Sequence, residues 1–377
     1  MKKIASSVLI LALLFAVPDI FAQQREITTL AIGAQAPDFD LPGIDGKNYT
    51  LGDFDDYKIL SVVFWANHCP TAQAYEDRLI AMTEEYSSRG AGFVAISPNS
   101  PLAVNLGELG YSDLGDDLDD MKIRAEDKGY NFPYLYDGDN HEASVLYGPV
   151  ATPHIFIFDE ERKLRYRGRI DNTENPYAEP GTTDAIDAIE ALLEGREVAL
   201  KETPSFGCSV KWSWNDEWNR RVQKEWAEAP VGMETIGVAD IRNLIQNDSE
   251  NLRFVNIWAT WCGPCVIEFP ELITIDRMYR GRDFEFISIS ADNPSRKDNV
   301  LKFLEKHEAS NKNYLYNDTD KYALIEAVDK DWQGALPHSL LIAPGGEIIA
   351  RYAGIIDPLK VRRDIVGYLG RYYADDK

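Results

Sequence analysis

The chain has 377 residues, enough for two domains of ordinary size that each bury a core. Its formal net charge is −23, which argues against binding to nucleic acid and to anionic membrane surfaces. The four cysteines and five histidines do not stand at the spacing of a zinc ligand set, so no metal and no other cofactor is expected.

Residues 1–22 have the pattern of a signal peptide. Two lysines precede an apolar run from Val8 to Val17, and Ile20-Phe21-Ala22 precedes polar glutamines. Because the run is short for a bilayer span, cleavage after Ala22 is expected, with an uncleaved membrane anchor as the alternative. The mature chain would then be exported to an oxidising compartment such as a periplasm, where disulfides persist.

Residues 23–200 are predicted to form a first α/β domain. An apolar strand over 59–66 runs into Asn67-His68-Cys69-Pro70 and a helix, and further strands and helices alternate to residue 200. One loop is strongly acidic, with Asp113, Asp116, Asp117, Asp119 and Asp120. We expect this loop to be solvated and to cap the next helix; calcium binding is the weaker alternative.

A connecting segment, 201–230, contains Cys208 and four tryptophans at 212, 214, 218 and 226. Flexible linkers are poor in aromatic residues, so these indoles are expected to pack against one or both domains. An exposed strip that docks a partner is the alternative.

Residues 231–377 repeat the order of the first half. The match is clearest where Pro153-His154 corresponds to Pro337-His338 and where Arg165-Tyr166 corresponds to Arg351-Tyr352. The predicted fold class is therefore α/β, with two tandem domains that each have a mixed β-sheet flanked by helices.

The sequence Trp261-Cys262-Gly263-Pro264-Cys265 follows the apolar strand 254–259 and opens a predicted helix, with Pro264 in its first turn. Cys262 would lie at the positive end of the helix dipole, which favours the thiolate that attacks disulfides. Cys265 would close the ring and release the product. The pattern indicates dithiol–disulfide exchange; half of a zinc site or a structural disulfide are the alternatives.

The stretch FVNIWATWCGPCVIEFPEL resembles the active-site strand and helix of secreted thioredoxin-like reductases that serve cytochrome c maturation. Leu336-Pro337 matches the cis-proline loop of the thioredoxin superfamily, where Leu336 would offer backbone hydrogen bonds to a client. Cytoplasmic thioredoxins carry a buried aspartate at the position of Asn256, and an asparagine cannot take a proton from Cys265. Another acid or water must therefore take this proton. Glu268 is a candidate acid, although a glutamate on a helix surface is commonly only solvated.

The resemblance implies a thioredoxin-like thiol–disulfide oxidoreductase that reduces protein disulfides and is supplied by an upstream membrane or periplasmic thiol reductant. The net charge of −23 argues against nucleic acid as a partner.

The first half resembles the redoxin branch that includes peroxiredoxins (alkyl hydroperoxide reductase/thiol-specific antioxidant), through Ala74-Tyr75-Glu76-Asp77-Arg78. Ala66 is interpreted as the replaced first cysteine of a degenerate CxxC, and His68 as a surface residue. A disulfide between Cys69 and Cys208 is expected, because two idle thiols are improbable after export. The alternatives are a thiol peroxidase that uses Cys69 and is reduced by the second domain, and a module that binds clients.

Overall fold

The computed structural model describes residues 27–373, and the predicted signal peptide over 1–22 lies outside them. Within the described part of the chain, no helix combines the length and the apolarity that a bilayer span requires. The described residues form two large mixed sheets, one from the chain before the segment 201–230 and one from the chain after it.

The strands of the first half are β1 (Asp40–Pro42), β2 (Asn48–Thr50), β3 (Ile59–Phe64), β4 (Ala91–Ser97), β5 (Tyr134–Tyr136), β6 (His154–Phe158) and β7 (Leu164–Gly168). β1 and β2 form a hairpin, and the other five form a sheet in the order β7-β6-β3-β4-β5. β3, β4 and β5 are parallel, and β6 runs antiparallel between β3 and β7. β3 is buried on both faces, which explains why all of its residues except Ser61 are apolar.

The helices of the first half are α1 (Pro70–Ser87), α2 (Leu118–Lys128), α3 (Ser144–Tyr147) and α4 (Asp184–Leu193), with 3₁₀ turns at Leu51–Phe54, Pro101–Ala103 and Leu106–Leu109. The connecting segment contributes α5 (Glu217–Glu228). α2 begins where Asp117 accepts hydrogen bonds from the N–H groups of Asp119 and Asp120, as the acidic loop led us to expect.

The strands of the second half are β8 (Glu234–Ile236), β9 (Leu252–Trp258), β10 (Phe284–Ser290), β11 (Lys312–Tyr316), β12 (His338–Ile342) and β13 (Ile348–Ala353). Its helices are α6 (Val238–Gln246), α7 (Gly263–Tyr279), α8 (Lys297–Lys306), α9 (Lys321–Val328) and α10 (Pro358–Leu369), with a 3₁₀ turn at Pro294–Arg296. The sheet order is β13-β12-β9-β10-β11-β8, which repeats the first sheet and adds one strand at the far edge.

The repetition extends to register. In both sheets the irregularity in the antiparallel pair falls at equivalent residues, Ile157/Phe158 and Leu341/Ile342. Cis peptide bonds occur at Thr152–Pro153 and Leu336–Pro337, each directly before the strand that begins with a histidine. The predicted fold class, two tandem α/β domains with mixed sheets, is confirmed.

The loop between β4 and α2 joins the two halves. Val104 and Leu109 belong to the apolar core that α7 covers in the second half. The Tyr279 hydroxyl donates to the Ser112 carbonyl oxygen at 2.8 Å, and Arg371 donates to the buried Asp113 carboxylate at 2.5 Å. The acidic loop is thus partly an interface, not wholly solvated as the sequence led us to expect.

The tryptophans of the connecting segment contact both halves. Trp212 and Trp214 stack with ring centroids 5.2 Å apart and meet the edge of His141 in the first half. Trp226 lies beneath the Arg277 guanidinium of the second half, and Trp218 is largely exposed. The predicted domain boundaries at residues 200 and 231 stay predictions.

Candidate functional site

The Trp-Cys-Gly-Pro-Cys motif lies where β9 ends and α7 begins. Cys262 is the N-cap residue of α7, and its Sγ accepts the Cys265 backbone N–H at 3.3 Å. Gly263 and Pro264 form the start of the helix, where the missing N–H of proline costs nothing. The unpaired N–H groups and the dipole of this helix end favour negative charge on the Cys262 sulfur.

Cys262 and Cys265 form a disulfide, with their Cα atoms 5.3 Å apart. Cys265 is fully buried and Cys262 is 6% exposed, whereas the neighbouring Trp261 is 57% exposed. A reacting group can therefore approach the pair only over Cys262. This asymmetry is what the predicted roles of an attacking and a resolving cysteine require.

The turn that carries the motif is fixed by Asp292. Its carboxylate accepts the Thr260 backbone N–H at 2.7 Å and the Thr260 hydroxyl at 2.6 Å. No sequence pattern marks Asp292, because it follows β10 and lies far from the motif along the chain. The carboxyl ends of two neighbouring parallel strands bring it there.

The cis-proline loop lies at the same edge of the sheet. His338, directly after Pro337, pairs with Ile257 of the antiparallel strand β9, five residues before Cys262. Within residues 27–373, no group hydrogen-bonds to the backbone N–H or C=O of Leu336. That edge of the site can therefore pair with an extended chain.

Glu268 is buried, not solvated on the helix surface as is common for such a glutamate. It is 2% exposed, and its carboxylate accepts the Asn256 side-chain N–H at 3.0 Å and the Ile356 backbone N–H at 2.9 Å. Burial raises the pKa of the Glu268 carboxyl to about 7, although these two hydrogen bonds lower it. Asn256 also donates to the Ser339 hydroxyl at 2.9 Å.

Glu268 lies three residues after Cys265 on α7, so both side chains project from the same face of the helix. A carboxyl group with a pKa near 7 exchanges its proton readily at neutral pH. The site therefore combines a helix-capping cysteine, a buried second cysteine and a buried group that can take up a proton.

The strand registers align the two halves and correct one expectation. Phe64 pairs with His154, and Ile257 pairs with His338, so Cys69 corresponds to Cys262. Both cysteines are N-cap residues of the following helix. Ala66 is therefore not the replaced cysteine. The residue in the place of Cys265 is Ala72, so the first half keeps the attacking position and lacks the resolving one.

The proton-handling residues are also absent from the first half. By the same register, Asn256, Glu268 and Ser339 correspond to the core residues Val63, Tyr75 and Ile155, all of which are fully buried. The Tyr75 hydroxyl instead donates to the Asp171 carboxylate at 2.6 Å, which ties α1 to the loop after β7.

Cys69 and Cys208 are free thiols, and the structure brings them together. The Cys208 backbone N–H donates to the Cys69 Sγ at 3.4 Å, and this sulfur lies 3.0 Å from the Thr152 carbonyl oxygen. The expected disulfide between the two cysteines stays a prediction. Because Cys69 is fully buried under this segment, a peroxide has no open path to it, which weakens the peroxidase alternative.

His68 is buried, which corrects its interpretation as a surface residue. Its Nδ1 lies 2.5 Å from the Asp116 carboxylate, and this charge outweighs the effect of burial and raises the His68 pKa. Burial raises the pKa of the Cys69 thiol, but hydrogen bonding from Cys208 and the charge of His68 outweigh it and bring the pKa below its ordinary value. Asp116 is thus a buried charge partner, not a solvated loop residue.

Comparison with known proteins gives two family matches. Residues 32–167 match the AhpC/TSA family, and residues 246–365 match the family described as Redoxin. The Thiol-disulfide oxidoreductase ResA of Bacillus cereus is 27% identical over 123 residues, which are 31% of this chain and 60% of that protein. The Thiol:disulfide interchange protein DsbE of Allochromatium vinosum is 28% identical over 147 residues, 38% of this chain and 69% of that protein.

A crystal structure of an uncharacterized conserved protein from Geobacillus kaustophilus shares 36% identity, with a TM-score of 0.44, and the alignment covers 48% of this chain and 93% of that chain. The chain spans somewhat less than two thirds of the Bacillus cereus relative. The two family matches and the names of the curated relatives agree with the resemblance that the sequence suggested. The chain belongs to the thioredoxin superfamily, with one family match in each half.

Proposed function

We propose that this protein is an exported reductase of protein disulfides that works through Cys262 and Cys265. The observation that carries the proposal is the asymmetric pair at the start of α7, with Cys262 slightly exposed and Cys265 fully buried, three residues before the buried Glu268. Export is supported by the signal-peptide pattern of residues 1–22.

In the reduced protein, the Cys262 thiolate attacks one sulfur of a client disulfide and forms a mixed disulfide, while the other client sulfur leaves as a thiolate. Cys265 then loses its proton to Glu268 and attacks the Cys262 sulfur. The second client sulfur leaves, and Cys262 and Cys265 become the disulfide seen in the structure. An upstream thiol reductant returns the pair to the dithiol state.

The surroundings suit an extended polypeptide as the client. Leu336 offers its free backbone groups on one side of Cys262. Trp261, Ile267 and Ile355 are exposed apolar side chains near the motif and near the loop that contacts Glu268. Such a rim favours binding of apolar segments that a folded protein does not expose.

The proposal is tested by the reduction of insulin disulfides with Cys262→Ser and, as a matched control, Cys69→Ser. We expect the Cys262→Ser protein to lose all turnover, because the attacking sulfur is gone. The Cys69→Ser protein should keep the parent rate, since Cys69 lies in the other domain. Parent-like turnover by Cys262→Ser would refute the assignment.

A further inference from the structure

Residues 201–211, which we call the strap, are bound along the first domain. At one end, the Lys201 carbonyl oxygen accepts the Arg167 N–H at 3.0 Å, and the Thr203 N–H donates to the Arg167 carbonyl oxygen at 3.2 Å. At the other end, the Lys211 carbonyl oxygen accepts the Ser100 N–H at 2.8 Å. The strap is therefore an ordered part of the first domain, not a free linker.

The centre of the strap pairs with the residue before the first cis-proline. Thr152 donates its N–H to the Cys208 carbonyl oxygen at 2.9 Å and accepts the Cys208 N–H at 3.3 Å, in an antiparallel bridge. Thr152 corresponds to Leu336, whose backbone groups are unpaired within the described residues. The strap thus lies where an extended client would pair in the second domain.

Gly207 permits this close approach. Its φ is +137°, and a Cβ atom at this position would lie 2.1 Å from the Thr152 carbonyl oxygen. The strap backbone therefore passes closer to the cis-proline loop than any residue with a side chain allows. That contact places Cys208 over the sulfur of Cys69.

The chemistry around Cys69 fits a thiol that reacts with this neighbour. Cys69 occupies the attacking position at the start of α1, and the buried His68–Asp116 pair adjoins it. Because Ala72 stands where the second half has its resolving cysteine, the motif contains no second thiol that could release a partner bound to Cys69. The arrangement corresponds to a client held on an attacking cysteine that cannot be displaced from within the motif.

We propose that Cys69 and Cys208 form a second thiol–disulfide site, in which Cys208 of the strap takes the place of a client cysteine. This site exchanges with low-molecular-weight disulfides and thiols. Cys208 is half-buried and so receives the incoming disulfide RSSR, forming Cys208–SR and releasing RSH with the Cys208 proton. The Cys69 sulfur then attacks the Cys208 sulfur and expels the second RS group, which takes up a proton. The pair loses two electrons and two protons, and RSSR becomes two RSH.

This site is independent of client reduction by the second domain, so it is tested in full-length Cys262→Ser/Cys265→Ser protein. The protein is equilibrated in glutathione buffers of graded oxidised-to-reduced ratio, acid-quenched, alkylated in denaturant and analysed by mass. We expect the two remaining thiols to disappear together as the buffer becomes oxidising, with a cross-linked Cys69–Cys208 peptide, and to return fully in reducing buffer. Complete alkylation of both thiols in the most oxidising buffer overturns the proposal, as does a cross-link that glutathione cannot reverse.

Two further variants of the same background separate the pairing from general oxidation. Gly207→Ala should lower the equilibrium constant for the disulfide by about tenfold, because the strap must move off Thr152. Gly232→Ala is the matched control, since its Cβ would meet nothing within 4 Å. Ala72→Cys should restore a resolving cysteine that pairs with Cys69, so that Cys208 is no longer cross-linked in oxidising buffer and is found as a free thiol or as its mixed disulfide with glutathione. Equal behaviour of Gly207→Ala and Gly232→Ala, or a Cys208 that stays cross-linked in Ala72→Cys, contradicts the proposed geometry.

Discussion

The two halves of this protein contain sites of the same architecture, one with an open cis-proline loop and one whose loop is covered. Both place a cysteine at the N-cap of a helix beside a cis-proline loop, at the same edge of a sheet with the same strand order. In the second half no described residue pairs with the backbone of the residue before the proline, whereas in the first half this residue pairs with the protein's own strap. The comparison shows that the fold alone places a cysteine sulfur at the start of this helix.

The two halves differ in the side chains that the proposed mechanism uses to release a client. The second half has a buried second cysteine and a buried carboxyl group with a pKa of about 7, raised by burial. The first half has Ala72 and Tyr75 at these positions, so it has neither the second cysteine nor the carboxyl group. On the proposed mechanism, turnover depends on Cys265 and Glu268, and an N-cap cysteine by itself supports only capture of a client.

Replacing the carboxyl group is the strongest way to make the second site resemble the first while leaving both cysteines in place. We expect Glu268→Gln to lower the rate of insulin reduction by about 10²-fold, because Cys265 loses its proton acceptor. The parent rate should rise as the pH passes through about 7, where Glu268 loses its own proton, and the variant should lack this rise. The measurement is turnover from pH 5.5 to 8.5.

Tyr75→Phe is the control, since Tyr75 is the counterpart of Glu268 and lies in the other domain. Its turnover should match the parent at every pH. A Glu268→Gln protein with the parent's pH profile would show that another group or water takes the proton.

Much of this comparison could be predicted from the sequence. The paired Pro-His and Arg-Tyr landmarks identified the duplication, and the apolar run before the motif identified the strand that carries Cys262. The burial of Glu268 was harder to foresee, because the helix turns Ile267 outward, with 69% of its surface exposed, and turns the carboxylate inward. Such an inversion of the usual apolar pattern is decided by what packs over the helix start.

The assignment of Ala66 failed for a different reason. Counting cysteines along the chain aligned Cys69 with the second cysteine of a CxxC, whereas strand register aligns it with the first. The pairing of Cys208 with Thr152 joins residues 56 apart through single backbone bridges, and no local pattern reports it. The correspondence of Thr152-Pro153 with Leu336-Pro337 was the sequence signal that could have aligned the strands of the two halves.

A smaller effect tests how firmly the two halves are joined. The buried Asp113 of the first half accepts hydrogen bonds from Arg371 at 2.5 Å and from Arg363 at 3.4 Å, both in the second half. Burial raises the pKa of Asp113, but the charge of Arg371 outweighs it and holds the pKa below its ordinary value. Asp113→Asn should therefore lower the free energy of unfolding by about 1–2 kcal/mol at pH 7, since both arginines are partly solvated.

The sign of the pH dependence follows from the lowered pKa. The contribution of Asp113 is complete above the ordinary carboxyl pKa and is lost as the pH falls through the folded-state value. The difference between parent and Asp113→Asn in urea unfolding should accordingly shrink towards pH 3. A difference that is the same at pH 7 and pH 3 would argue against a charge effect.

The central claim is that clients react at the open site and not at the site that the strap fills. It is tested most directly with full-length Cys265→Ser protein, reduced and mixed with a protein disulfide such as insulin, then alkylated and mapped by mass analysis without reductant. We expect client peptides to be linked to Cys262 alone, and any cross-link of Cys69 to be with Cys208. Client peptides linked to Cys69 would contradict it.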